Sequence, residues 1–299
     1  MNPTRGSLLM ILAITLFVVM SSCIKAAEEV PAGQAVFFRS ICALPIILIW
    51  LWRQHDLRNG LKTNNWKGHA GRALAGTTAM GLGFAGLKFL PLPEVTALRF
   101  ATPILLVIFA ALLLGERFRL IRLSAVIVGL IGVLIIMWPR LSFEGGSQEA
   151  VGAALVLGSA VMAALSQVFI KKMAGVETTS AIVFYFSVTA TVLSLLTLPF
   201  GWVSPDPREW ALLIAAGLLG GFGQLLLTSA YRFADAGVLA PFTYVSMLWA
   251  LLIGYFVFSE VPTLPMLLGA ALIIAAGVAI VLRERQLKKP RLPRIGENL

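Results

Sequence analysis

Charge is what this sequence has least of. Only 13% of its 299 residues are Asp, Glu, Lys or Arg, about half the roughly 25% of a soluble domain, and mean hydropathy is +0.90. Water is thereby excluded as the solvent for most of the surface. Histidine is nearly absent. His55 and His69 both fall between the second and third apolar runs, and neither stands in a zinc or nucleophile motif, so an intramembrane enzyme has no machinery to work with. Cysteine is equally scarce: Cys23 and Cys42 lie inside apolar runs, where a thiol behaves as a small hydrophobe, and are read as neither disulfide partners nor metal ligands. No Gly-x-x-x-x-Gly-Lys-Ser/Thr loop occurs, and no polar segment is long enough for a nucleotide-binding domain, which excludes ATP-driven pumping by this chain alone. No carboxylate stands at the middle of an apolar run, so a central protonatable acid is missing. No cofactor or metal is expected.

What the sequence does have is apolar length. Ten runs are read within Ser7 to Ala27, Gly33 to Trp52, Ala70 to Leu90, Glu94 to Leu114, Leu120 to Trp138, Val151 to Ile170, Thr179 to Pro199, Glu209 to Tyr231, Ala236 to Phe258 and Leu264 to Leu282. At 1.5 Å per residue each crosses a hydrocarbon core of roughly 30 Å. The fold expected is an all-α polytopic membrane protein of ten transmembrane helices. Arg5 before the first run, and Met20-Ser21-Ser22-Cys23 within it, imitate a cleaved leader, but the run is long for one and is read as a span.

The net charge of +10 does not point to nucleic acid, because the basic residues are not interleaved with stacking aromatics on a polar segment. They punctuate the apolar runs instead. With the amino terminus inside, Arg5, the Arg53 to Arg72 loop, Arg117, Arg119, Arg122, Lys171, Lys172, Arg232 and the tail fall on the cytoplasmic side. Lys25, Lys88, Arg140 and Arg208 fall on the other, a split of 18 against 4 that places both termini in the cytoplasm. The basic tail at 284–299, with Pro290 and Pro293, reads as a disordered anchor drawn to anionic lipid headgroups.

A repeat is hidden in the spans. Lys88-Phe89 precedes a span ending at Glu116 as Arg232-Phe233 precedes one ending at Glu260, with equal spacing from aromatic to carboxylate. Ile24-Lys25 corresponds to Ile170-Lys171, and Phe38 to Phe184. Residues 1–145 and 146–283 are thus two copies of a five-span unit. Five is odd, so the copies enter the membrane from opposite sides, and inverted halves can expose a site between them to each side in turn. A ring-lined channel lacks support by comparison.

On these features the chain resembles the drug/metabolite transporter superfamily, EamA-type. The likeness is carried by Gly115-Glu116-Arg117 before the helix of Gly129 and Gly132, the matching Ser259-Glu260, Phe38-Arg39, and Pro103 within span 4. Ser259 stands where glycine is common, and Val261-Pro262 follows the second glutamate. The resemblance implies secondary or facilitative export of amino acids, other metabolites or organic cations, and is greatest to amino-acid exporters, aromatic ones included. It implies a small-molecule substrate and, with the short loops, a multi-pass place in the bacterial inner membrane; no enzyme activity is expected, and of the oligomeric states, which the sequence does not fix, a monomer is favoured. The alternative is uptake of a larger metabolite, vitamin or nucleotide-like, which calls for more basic residues deep in the bundle than this reading supplies.

Substrate contacts are expected from polar groups on the third and eighth spans near their glycines, Thr77, Thr78, Gln224 and Thr228, joined by Ser21, Ser22, Thr102, Ser166, Gln167, Tyr244 and Ser246. Phe84, Phe222 and Trp249 would face an apolar portion. Hydroxyls that bond back to their own helix are the competing reading. Arg39 and Arg99 are sharper signals, because a guanidinium within a span faces protein or water. Three readings stand for them: a site for a substrate carboxylate, an ion pair with Glu28, Glu29 or Glu94, or snorkelling to the lipid headgroups. Glu116 and Glu260 are read as local caps or ion pairs at helix ends, and Pro103 and Pro241 as kinks or hinges.

Overall fold

A backbone in hydrocarbon finds no water to bond, so long apolar runs must close their own hydrogen bonds as helices. A computed structural model describes residues 3–53, 60–63, 65–114, 120–138, 148–173, 176–233 and 240–288. Its helices are α1 Pro3–Ala26, α2 Ala32–Arg53, α3 Trp66–Gly86, α4 Leu92–Arg99, α5 Ala101–Leu114, α6 Leu120–Met137, α7 Gln148–Met173, α8 Thr179–Leu195, α9 Pro207–Phe233, α10 Val245–Phe258 and α11 Leu264–Lys288. No strand occurs among the described residues. The segments Thr4–Ala26, Ala32–Arg53, Leu92–Ala110, Gln148–Ile170 and Pro207–Leu227 are each long and apolar enough to cross a membrane. Leu8, Leu12, Ile49, Leu112, Leu134 and Phe256 are exposed on the bundle's outside, where lipid is the fitting solvent.

Both prolines singled out in the sequence sit at a break. Pro103 has no N–H to bond the carbonyl of Arg99 one turn earlier, and the fourth span divides at Phe100 into α4 and α5. Pro241 lies in a 3-10 turn, Ala240–Tyr244, that precedes α10. Ten spans result when α4 and α5 are counted as one.

The duplication shows in which helices touch. α1 packs on α9 as α3 packs on α7, and α2 meets α9 as α3 meets α8. The pairs α2 with α8 and α6 with α11 each join an element to its own counterpart, and α4 meets α10 where the fourth span crosses the ninth. A twofold relation between the halves produces this exchange of partners. Small residues permit the close crossings, since helix association in lipid depends on packing. A Cβ on Gly217 would meet the Phe38 carbonyl oxygen at 2.9 Å, and one on Gly132 would meet the Gly269 carbonyl oxygen at 2.8 Å.

Two boundaries differ from the sequence reading. α3 starts at Trp66 because the side chain of Asn65 caps it, accepting from the Gly68 amide at 3.0 Å, so Arg72 and His69 belong to a helix and not to a loop. α11 continues to Lys288, past the expected end at Leu282. Glu116 and residues 289–299 lie outside the described residues.

Ser259 ends α10 in the left-handed region, with φ 55 and ψ 30, a conformation costing a non-glycine residue about 1 kcal/mol. It is the position where the resembling family commonly has glycine. Ser259→Gly is therefore expected to stabilise the protein by about 0.5 kcal/mol, once glycine's extra freedom in the unfolded chain is subtracted. A thermal melt of the purified protein checks it, and an unchanged or lower midpoint would count against the strain.

Candidate functional site

Two arginines share one ring inside the bundle. Arg39, seven residues into α2, is only 7% exposed, and its guanidinium carbon lies 5.8 Å from the centre of the Phe186 ring on α8. Arg72 comes from α3 and lies 4.0 Å from the same ring. The Nε atoms of both are buried without a hydrogen-bond partner. Two like charges are thus held beside one aromatic ring, whose quadrupole offsets part of their desolvation, about 0.5–2 kcal/mol each. Neither arginine forms an ion pair among the described residues, so pairing of Arg39 with Glu28, Glu29 or Glu94 is not realised.

Arg99 occupies the last turn of α4, placed there by the break that Pro103 imposes. Its guanidinium lies over Gly83 of α3, beside Ser159 of α7, and it too has no ion pair among the described residues. Glu94 is buried in the first turn of the same helix, where the helix dipole favours a carboxylate.

The other expected residues divide. Thr77 is next to Gly76 on α3, and its Oγ1 is buried with no partner, as is the indole Nε1 of Trp249. Ser21 and Thr102 are buried. The ring of Tyr244 packs edgewise on Phe100 at 5.2 Å, and Gln224 is half-buried. Several hydroxyls are occupied within the protein: Ser22 donates to the Val18 carbonyl at 2.9 Å, Ser246 to Thr243 at 2.7 Å, and Ser166 to the Arg72 carbonyl at 3.2 Å. Thr78 and Gln167 are exposed. Thr78 follows exposed Leu74 by one turn, so it shares the outer face of α3. Phe222 shares the outer face of α9 with Ile214 and Leu218 and does not line the interior, whereas Phe84 is buried in the core. The side chain of Thr228 lies outside the described residues.

Polar contacts between the halves close both ends of the bundle. At the end holding the α1–α2 connector, Lys25 pairs with Glu260 at 2.9 Å and donates to the carbonyls of Leu87 at 3.1 Å and Leu90 at 2.8 Å. Glu260 also accepts from the Leu92 amide at 2.8 Å, capping α4, so the local role read from the sequence extends to a bond across the repeats. Gln34 exchanges two hydrogen bonds with Val203, at 2.9 and 3.2 Å. At the opposite end Glu177 accepts from Thr63 at 2.9 Å and the Asn65 amide at 3.1 Å, and lies 3.3 Å from His69.

Arg72, Phe186, Ser159 and the His69–Glu177 contact were not singled out from the sequence. Reading Asn65 as a helix cap would have moved Arg72 nearly two turns into a span. Nothing in the sequence marks Phe186 among eighteen phenylalanines.

Comparison with known proteins gives consistent results. The model of the EamA-like transporter family matches residues 4–138 and again 150–283. A pseudopaline exporter of Pseudomonas aeruginosa is 33% identical over 281 residues, covering 92% of this chain and 95% of its own. An S-adenosylmethionine uptake transporter of Rickettsia prowazekii is 28% identical, covering 84% of this chain and 81% of its own. A riboflavin transporter of Vibrio cholerae is 28% identical, covering 91% of each. A crystal structure of a protein 19% identical superimposes with a TM-score of 0.68 over 96% of this chain and 99% of that one.

Proposed function

The chain belongs to the EamA-like transporter family, and on that premise we propose that it exports small amphipathic metabolites, neutral or aromatic amino acids among them, by alternating access. It is a multi-pass transporter of the bacterial inner membrane. The observation that carries the mechanism is the exchange of packing partners between the halves. Two arrangements of similar energy follow when such halves trade conformations, each opening one end. Arg39, Arg72, Arg99, Thr77 and Trp249 supply the interior polar groups that a substrate would meet. Placing both termini in the cytoplasm, as the basic residues require, puts the Lys25–Glu260 end outside. Residues 1–145 and 146–283 act as the two moving units in this reading.

Export agrees with the relative named as a pseudopaline exporter. None of the three relatives is named for amino-acid export, so that narrower substrate rests on the sequence resemblance. A second reading, uptake of a larger metabolite, gains from Arg72. The interior holds one basic residue more than the sequence suggested, and two relatives are named for S-adenosylmethionine uptake and for riboflavin. No catalytic role is proposed.

Proteoliposomes containing the purified protein and offered labelled threonine, methionine, phenylalanine, glutamate, riboflavin and a quaternary cation, with and without a pH gradient, separate these readings. Saturable movement of the neutral amino acids is expected. Movement of riboflavin alone would replace export with the second reading.

A further inference from the structure

We propose that Arg39, Arg72 and Arg99 form a two-part oxyanion site, so that the transported solute carries an acidic group at each end. This rests on the transporter reading and, within its small amphipathic metabolites, selects those with two acidic ends in place of the neutral amino acids. The first part is the Arg39–Arg72 pair on Phe186. Two guanidinium groups beside one ring repel each other, and the protein supplies no carboxylate to either among the described residues. Buried charges persist where something pairs with them, and the ligand that pairs both arginines is an oxyanion, which the planar guanidinium fork holds through parallel hydrogen bonds. The buried, unpartnered Nε atoms of Arg39 and Arg72 are donors of that kind.

The second part is Arg99. The Arg72 guanidinium lies over Gly76 beside Ser166, and the Arg99 guanidinium over Gly83 beside Ser159. Gly76 and Gly83 are seven residues apart on one face of α3, which sets the two parts about 10 Å from one another along the helix. Ser166 and Ser159 repeat the same interval on α7. The position between the glycines on that face is Met80, which packs with Ala73, Phe186 and Ala190 and offers an apolar floor. An elongated solute with acidic ends and an apolar middle matches this order of groups. A neutral amino acid has one carboxylate and leaves one part of the site unpaired.

The test uses the full chain, purified in detergent, in calorimetric titrations with suberate, its monomethyl ester, succinate and 1,6-hexanediol bisphosphate. Suberate is expected to bind at least about tenfold tighter than the ester or the shorter succinate, the gain of one further charge-assisted contact. The bisphosphate distinguishes phosphate from carboxylate ends, and tighter binding of either long dianion supports the site. Arg99→Gln is expected to bring suberate down to the affinity of the ester while leaving the ester unchanged, and Arg72→Gln to weaken both about tenfold. Should a glutamine variant fail to fold, Arg72→Lys and Arg99→Lys keep the charge, lose the fork, and are expected to give a smaller loss in the same pattern. Equal binding of suberate and ester, or none of either, overturns the proposal. The transporter reading is judged separately in proteoliposomes offered labelled suberate beside the neutral amino acids: amino acids moving without dianion binding removes the site alone, and dianion binding without movement of any of them removes the export reading alone.

Discussion

Replacing Glu260 with alanine is expected to release one end of the bundle. The carboxylate pairs with Lys25 at 2.9 Å, the two side chains being 15% and 14% exposed, and caps α4 through the Leu92 amide. Breaking a buried pair from one side costs about 3–5 kcal/mol; partial exposure here reduces the figure to about 2 kcal/mol. Lys25 retains the carbonyls of Leu87 and Leu90, which softens the loss. Lys25 stands on the first helix of one repeat and Glu260 in the connector before the last helix of the other. The energy is therefore withdrawn from states in which the halves are closed at this end, a shift of roughly thirtyfold toward open ones. Cys23, two residues from Lys25, reports it: in a Cys42→Ser background, labelling by a membrane-impermeant maleimide is expected to accelerate in Glu260→Ala and to accelerate less in Glu260→Gln, whose amide oxygen still accepts from Lys25 and from the Leu92 amide. An unchanged labelling rate would show that the pair does not hold this end shut.

The other large effect lies where the last helices of the two repeats cross. A Cβ on Gly132 would meet the Gly269 carbonyl oxygen at 2.8 Å, and one on Gly269 would meet the Gly132 carbonyl oxygen at 2.5 Å. Side-chain atoms of Ile273 and Ile136 lie as close, but the carbonyl oxygens are backbone, so neither helix can yield by turning side chains alone. Gly132→Leu must push α6 and α11 apart and forfeit their contact. Overpacking of this kind costs about 1–3 kcal/mol in a well-packed core, and the upper end applies because the clash is with backbone. The variant is expected to lose most of its monodisperse fraction in size-exclusion chromatography after mild heating. Gly81→Leu is the control, since a Cβ there meets nothing within 4 Å among the described residues, and it is expected to behave as the parent does. Equal behaviour of the two variants would mean that this crossing does not need its glycines.

Hydropathy and spacing carried the sequence reading a long way. The helical class, the number of spans, the duplication and the transporter family all follow from apolar runs of bilayer length and from motifs recurring at a fixed interval, which are local or periodic properties. Pro103 marked its break because a missing N–H acts on the residue one turn away. What the sequence could not carry was side-chain direction. Thr78 and Thr77 are neighbours in the chain, yet 100° of helical rotation separates an exposed hydroxyl from a buried one. Arg72 was counted with a loop because a charge near a span end reads as a topology signal, and only the cap by Asn65 and the ring of Phe186 draw it inside. Glu260 was legible as a helix-end carboxylate, but its partner lies 235 positions away in the chain, at Lys25. Length, class and duplication were thus determined by sequence alone, because they depend on composition and order; which arginines share an interior and which contacts hold the ends was decided only by tertiary structure, because helix rotation and the exchange of partners between repeats bring together residues with no local relation.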